Sequence, residues 1–161
     1  MGAGIAQVFA AAGHDISLHD ISQEAIDRGI ASIASSLDRI VKKERITLAD
    51  KEATLSRIIG FTQLSEGVGK ADLVIEAATE NVDLKLKIFT QLDALAPAAA
   101  PLATNTSSIS ITKIAAATKR PEKVIGMHFM NPVPVMKLIE VIRGYATDDA
   151  TTKLVMDLSR E

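Results

Sequence analysis

The stretch Asp72-Leu-Val-Ile-Glu76 begins a strand–helix–strand pattern that decides the fold. It is short and apolar, as is Leu102-Ala-Thr104 further along, and such segments are typical of strands buried in parallel sheets. Between them, Asn81 can begin a helix that runs to Leu95 and ends before Pro97, because the residue before a proline disfavours helical backbone. A helix between two parallel strands is the crossover unit of an α/β fold.

The same alternation of strands and helices extends along the rest of the chain. Strands are predicted at 15–20, 58–62 and 124–128, helices at 5–12, 22–43, 47–57, 110–118 and from Asp148 or Asp149 to Glu161, and a loop around Gly67 and Gly69. This order predicts a Rossmann-like, doubly wound and mostly parallel sheet with a helical-hairpin excursion. Ligands of such sheets bind beyond the carboxyl ends of the strands.

The segment from His128 to Ile142 predicts a C-terminal antiparallel hairpin. Its two apolar runs, 124–129 and 137–142, lie on either side of a proline turn at Val133 and Pro134. If the runs fold back about that turn, His128 and Glu140 become cross-strand neighbours within hydrogen-bonding distance. The sequence therefore predicts a base together with the carboxylate that orients it.

The composition excludes several classes of protein. The 161 residues suffice for one domain, and with 47% hydrophobic residues, 24% charged residues and a net charge of -2 they predict an ordinary globular protein that binds no nucleic acid. There is no cysteine, no signal-peptide start and no run near the roughly 20 apolar residues of a membrane span. We expect a soluble, cytoplasmic protein, and no metal, because His14, His19 and His128 lack metal-ligand spacing.

Two features near the N-terminus are those of a dinucleotide site, and each has an alternative. Met1-Gly2-Ala3-Gly4 precedes a helix as the end of a phosphate-binding glycine turn would, although the glycines taken alone fit close helix packing better. Asp20 follows a strand where a carboxylate accepts hydrogen bonds from a ribose 2′-OH and repels a 2′-phosphate, which favours NAD over NADP. The alternative for Asp20 is a turn or capping aspartate.

Five motifs, spread over nearly the whole chain, occur in the same order as in a known family. The motifs are Gly2-Ala-Gly-Ile-Ala-Gln7, Leu18-His-Asp20, Asp72-Leu-Val-Ile-Glu-Ala77, Asn105-Thr-Ser-Ser-Ile109 and His128-Phe-Met-Asn-Pro-Val-Pro-Val-Met-Lys-Leu-Ile-Glu-Val141. Together they resemble the 3-hydroxyacyl-CoA dehydrogenases, in particular the bacterial 3-hydroxybutyryl-CoA type. The resemblance implies an NAD-dependent oxidoreductase that interconverts (3S)-3-hydroxyacyl-CoA, such as 3-hydroxybutanoyl-CoA, and 3-oxoacyl-CoA in fatty acid and butanoate metabolism.

The resemblance also implies a role for each site residue. His128 is the catalytic base, Glu140 is its orienting partner, and Ser107 and Asn131 surround the substrate oxygen and the nicotinamide, where they donate to or position the developing oxyanion. The implied NAD contacts are Gly2, Asp20, Ala77, Glu80, Lys85, Ser107 and Asn131, and the implied CoA contacts are Ser36, Lys43 and Ser107. From the residues alone, Ser36 reads equally as helix surface and Lys43 as a solvated helix end. An imidazole, with a pKa of about 6.5, can take a hydroxyl proton near neutrality.

The chain departs from the family pattern at both ends. Family members have a strand and a full G-x-G-x-x-G ahead of the position of Met1, and they continue past Glu161 into a helical domain that binds substrate and forms a homodimer. We therefore expect residues 1–161 to be the NAD-binding domain of a truncated form, without the first strand and the C-terminal dimerisation domain. Met130 stands where an aromatic residue is usual, an apolar exchange.

The sequence leaves two alternatives to a dehydrogenase. Ser107, His128 and Glu140 are the residue types of a hydrolase triad, but the sequence around Ser107 lacks the G-x-S-x-G elbow that exposes such a serine. The second alternative is a catalytically silent Rossmann-like domain that binds nucleotide weakly or serves in assembly, because the chain is shorter than the family.

Overall fold

Strands and helices alternate along the chain in a computed structural model, which describes residues 1–160. The elements are α1 (Gly2–Ala11), β1 (Ile16–His19), α2 (Gln23–Lys42), α3 (Leu48–Ser56), β2 (Ile58–Phe61), α4 (Leu64–Val68), β3 (Val74–Glu76), α5 (Val82–Leu95), β4 (Leu102–Thr104), α6 (Ile111–Ala115), a 3₁₀ turn (Pro121–Lys123), β5 (Val124–Phe129), β6 (Ile139–Arg143) and α7 (Asp149–Leu158). The predicted α/β order is confirmed.

The six strands within residues 1–160 form two hydrogen-bonded sheets. In the first, β1 and β2 pair in parallel. The second has the order β3-β4-β5-β6, with β3, β4 and β5 parallel and β6 antiparallel to β5. The mostly parallel pairing and the antiparallel C-terminal strand agree with the predicted fold class.

The contacts between residues divide the chain into two compact units. The first consists of Met1–Gly67 with Asn131–Met136, and the second of Val68–Met130 with residues 137–160. The sequence prediction was a single domain. Each unit is therefore described by itself below.

In the first unit, three helices pack on the β1–β2 pair. The Ser22 hydroxyl caps α2 by accepting the N–H of Ala25, as predicted, and Thr47 and Asp50 form a reciprocal capping box that begins α3. Apolar residues recur along one face of α2, and Ile33 and Leu37 from that face join the core. The amphipathic pattern thus produces the expected hairpin of α2 and α3.

One prediction in this unit was wrong. The sequence predicts a loop around Gly67, whereas Gly67 lies within the short helix α4. A Cβ at Gly67 would lie 3.0 Å from Cβ of Ser17 and 3.1 Å from the ring of Phe61. The glycine therefore permits close packing of a helix on strands and does not mark a turn.

A second glycine of this unit yields a stability prediction. A Cβ on Gly60 in β2 would lie 2.3 Å from Cγ2 of Ile26, which is buried and cannot move aside. We expect Gly60→Ala to lower the free energy of unfolding by about 1–3 kcal/mol, measured by urea denaturation. Gly29→Ala is the matched control, because Gly29 lies inside α2 with its nearest neighbour at 3.5 Å. That change should stabilise the chain by about 0.5–1 kcal/mol, and equal effects of the two substitutions would contradict the packing argument.

In the second unit, β4 and β5 form the buried centre of the sheet. Leu102, Ala103, Val124, Ile125 and Met127 are fully buried there. Asn81 caps α5 and Asp148 caps α7, as predicted. Helix α6 is shorter than predicted and ends at Ala115, because the following residues make tighter bonds, from Ala117 N–H to Ile114 and from Thr118 N–H to Ala115.

Candidate active site

His128 and Glu140 face each other across the β5–β6 ladder. The register pairs them directly, and His128 Nδ1 lies 2.8 Å from Glu140 Oε2. This confirms the predicted hairpin geometry. Because Glu140 is bonded to Nδ1, the imidazole has Nε2 left to exchange a proton with another group. The His128 side chain is 21% exposed, so solvent or a ligand can reach it.

A cavity of about 360 Å³ in the second unit contains this pair in its wall. Ser107 and Ser108, which follow β4, line it together with His128 and Glu140. The neighbouring parallel strands β4 and β5 bring their carboxyl ends to the same edge of the sheet, which explains the juxtaposition. Arg143 also lines the cavity, but its guanidinium is already bonded to Asp149 and to the carbonyl of Thr147.

Glu80 binds the turn that carries Ser107. Its carboxylate accepts the Ser107 N–H at 2.5 Å, the Ser107 hydroxyl at 3.0 Å and the Thr106 hydroxyl at 2.7 Å. Burial raises the pKa of Glu80, but the hydrogen bonds from Ser107 and Thr106 and the positive charge of Lys85 outweigh it and lower the pKa below its usual range. Glu80 is therefore ionised at neutral pH and can only accept hydrogen bonds.

Lys85 lies in a buried ion pair with Glu76. The ammonium donates to the two carboxylate oxygens at 2.8 and 2.9 Å and to the carbonyl of Ala78 at 3.3 Å. Thr104 donates to the same carboxylate at 2.7 Å. Lys85 is only 1% exposed, and each N–H donor of its ammonium has an acceptor. Its contact with NAD, and that of the half-buried Ala77, stay predictions.

Sequence reasoning did not assign a role to Asn105, Thr106 or Glu76. Asn105 Oδ1 accepts the N–H of Phe129 at 2.8 Å and so joins the end of β4 to the end of β5 beside His128. The signal was available, because Asn105 follows a predicted strand directly. Glu76 is bonded to Thr104 and Thr106 to Glu80, and in each pair the two residues lie more than 25 positions apart in sequence, so no local pattern marks these contacts.

The other predicted residues lie in the first unit. Helix α1 begins at Gly2 without a side-chain cap, so its first N–H groups suit a phosphate. Asp20 follows β1, is exposed, and accepts the N–H of Ile21. An uncapped helix start and an exposed carboxylate are the donor and acceptor set that a pyrophosphate and a ribose require, so this unit fits NAD. Asn131 is exposed at the start of the proline turn.

Ser36 and Lys43 lie along one side of α2 at a helical spacing that also includes Ile40. Ile40 and Leu37 line a second cavity, of about 390 Å³, between α1, α2 and α3. Ser36 is half-buried and Lys43 is exposed at the C-cap of α2. The two residues that were predicted to bind CoA thus flank the α2 wall of an open cavity.

No membrane span or metal cluster occurs in the part of the chain that the structure describes. Across residues 1–160 no helix combines the length and apolar character needed to cross a bilayer. Over the same residues no three histidine, cysteine or acidic side chains converge as metal ligands.

Comparison with known proteins identifies the family. Residues 1–161 match the family described as 3-hydroxyacyl-CoA dehydrogenase, NAD binding domain. A 3-hydroxybutyryl-CoA dehydrogenase of Bradyrhizobium diazoefficiens is 51% identical over 151 residues, which are 94% of this chain and 51% of that protein. The mitochondrial hydroxyacyl-coenzyme A dehydrogenase of Homo sapiens is 42% identical over 165 residues, covering 99% of this chain and 52% of that protein.

A solved structure supports the same family. The (S)-3-hydroxybutyryl-CoA dehydrogenase of Ralstonia eutropha superposes with a TM-score of 0.97 at 52% identity, over 99% of this chain and 56% of that one. The chain therefore belongs to the NAD binding domain family of the 3-hydroxyacyl-CoA dehydrogenases. It spans about half the length of the curated relatives it matches.

Proposed function

We propose that this chain is the cofactor-binding and catalytic part of an NAD-dependent dehydrogenase that interconverts (3S)-3-hydroxyacyl-CoA and 3-oxoacyl-CoA. The observation that carries the proposal is the His128–Glu140 pair at 2.8 Å in the wall of a cavity. Relatives named as 3-hydroxybutyryl-CoA dehydrogenases favour a short acyl chain. A homodimeric, cytoplasmic protein is part of the same proposal.

The proposed reaction mechanism follows from the hydrogen bond between His128 and Glu140. Oxidation of a secondary alcohol removes the hydroxyl proton while a hydride leaves the carbon, and NAD, when bound, accepts that hydride. His128 Nε2 takes the proton, and the carboxylate of Glu140 holds the ring in position and stabilises the imidazolium that forms. In the reverse direction the same imidazolium returns the proton to the ketone oxygen. Asn131 is proposed to position that oxygen.

The binding roles divide between the two units. In the first unit, the start of α1 at Gly2 would hold the pyrophosphate and Asp20 the adenosine ribose. Ser36 and Lys43 would contact the CoA moiety. The apolar portion of CoA would pack in the cavity that Leu37 and Ile40 line. In the second unit, the proposed NAD contacts are Ala77, Glu80 and Lys85.

Two measurements on the same preparation test the proposal. Fluorescence titration with NADH should show saturable binding, and acetoacetyl-CoA should then oxidise the NADH, followed by its absorbance. Oxidation that is absent with acetoacetate but present with acetoacetyl-CoA would assign the CoA requirement. NADH binding without turnover would favour the catalytically silent domain, and absence of both would refute the proposed function for this chain.

A further inference from the structure

A buried glutamine in the first unit has an unbonded side chain. Gln7 lies in the middle of α1 and is only 5% exposed, yet across residues 1–160 no group forms a hydrogen bond with its carboxamide. Buried amides are bonded in most folded proteins, because an unbonded one is destabilising. Gln7 lines the cavity of about 390 Å³ between α1, α2 and α3. Its carboxamide is therefore available to a molecule in that cavity.

The charged groups in the wall of this cavity balance each other. Arg57, at the C-cap of α3, is half-buried and donates to the carbonyl of Ala10 at 3.2 Å, and within the described part of the chain it pairs with no carboxylate. Asp50 lines the same cavity, and its carboxylate accepts the N–H and the hydroxyl of Thr47. One cation and one anion leave no net charge, so the wall suits a neutral ligand that carries hydrogen-bonding groups.

Apolar side chains form most of the remaining wall, among them Val8 of α1, Leu37 and Ile40 of α2, and Ile46. The matching ligand is therefore a chain with apolar segments between neutral polar groups. Within an acyl-CoA, the pantetheine arm has this composition, because it joins methylenes and a geminal dimethyl group through secondary amides. The nucleotide end of CoA is strongly anionic and does not match the wall.

We propose that this cavity binds the pantetheine arm of CoA and that Gln7 recognises its amides. A carboxamide donates through its NH₂ group and accepts through its oxygen, so Gln7 can pair with a carbonyl and with an N–H of the arm. Arg57 donates to a further carbonyl through the N–H groups that Ala10 does not occupy. This inference rests on the proposed function and deepens it, because it adds polar recognition to a cavity in which only apolar packing was proposed.

The test is calorimetric titration of the chain, without NADH, with three probes. They are CoA, pantetheine, and adenosine 3′,5′-bisphosphate, which carries part of the nucleotide of CoA without the arm. Gln7→Leu keeps the size of the side chain and removes its polar atoms. It should weaken the binding of CoA and of pantetheine by about threefold to tenfold, the usual effect of one hydrogen bond, and leave that of the bisphosphate within about twofold.

A control and a stability measurement separate recognition from a structural role. Gln91→Leu makes the same change at an exposed position of α5 outside the cavity and should alter the affinity for none of the probes. Because Gln7 is buried without a partner, Gln7→Leu should raise the urea midpoint of unfolding of the ligand-free chain. Loss of a glutamine that supports the fold would lower that midpoint.

Several results would overturn the inference. They are an unchanged or a tighter affinity of Gln7→Leu for CoA, an equal loss for CoA and the bisphosphate, and a lower midpoint of unfolding. Failure of the unmodified chain to bind CoA would overturn it as well, whatever the chain does with NADH. An unmodified chain that binds pantetheine through Gln7 but does not oxidise NADH with acetoacetyl-CoA would refute the dehydrogenase and retain the pantetheine site.

Discussion

His128→Gln should abolish most of the turnover and leave NADH binding intact. Glutamine is close to histidine in size but cannot accept and return a proton near neutral pH, so the general-base contribution, about 10²- to 10⁴-fold, should disappear from kcat. The NADH dissociation constant should stay within about twofold, because no cofactor contact is proposed for His128. The comparison is made by acetoacetyl-CoA-dependent NADH oxidation and fluorescence titration, in this chain or any longer form that carries it.

A control variant and two alternative outcomes test that prediction. His14→Gln makes the same chemical change at a residue for which no catalytic or binding role is proposed, and it should leave kcat unaltered. A His128→Gln variant that turns over at the unmodified rate would refute the assignment of the base. A variant that loses NADH binding to the same extent as turnover would instead point to damage of the fold, which circular dichroism would detect.

Lys85→Met should cause the largest loss of stability of any single substitution considered. It removes the charge that compensates the buried Glu76 carboxylate and leaves that carboxylate 3% exposed with only Thr104 and the Ala78 N–H as partners. Breaking a buried pair on one side costs about 3–5 kcal/mol. Urea denaturation should show this as a lower midpoint with a similar slope.

The matched control is Lys153→Met, because Lys153 pairs with Asp157 on the exposed surface of α7. Its effect should stay within about 0.5 kcal/mol. Adding Glu76→Gln to Lys85→Met removes the orphaned charge and should recover at least about 1 kcal/mol. Equal losses for Lys85→Met and Lys153→Met would show that the buried pair is not important for stability. The NADH affinity of folded Lys85→Met also tests whether this lysine contacts NAD.

The parts of the molecule that depend on local pattern could be predicted. Ser22, Thr47 and Asn81 begin helices because their side chains accept the first N–H groups, and that requirement is visible within a few residues. The His128–Glu140 contact was predictable because the period of a strand and the position of a turn determine which side chains face each other.

The parts that depend on which strands become neighbours could not be predicted. Glu76 and Thr104 meet because β3 pairs with β4, and Lys85 reaches them from the following helix. Local sequence shows a buried lysine on α5 as simply another charged helix position. The bond between Glu80 and Ser107 depends on the same pairing, because each residue lies in the segment that follows one of these strands. The prediction of a loop at Gly67 was wrong for a related reason. The absence of a side chain at Gly67 leaves room for the side chains of other segments.

The proline turn between β5 and β6 sets the register of the hairpin. Its length, residues 130–138, sets which β6 side chain stands opposite His128. Loss or gain of one residue there would slide the strands by one position, turn Glu140 to the opposite face and bring an aliphatic neighbour, Ile139 or Val141, to the imidazole. The number of residues in the turn therefore fixes the pairing, so insertions that other surface loops absorb would here separate the imidazole from its carboxylate.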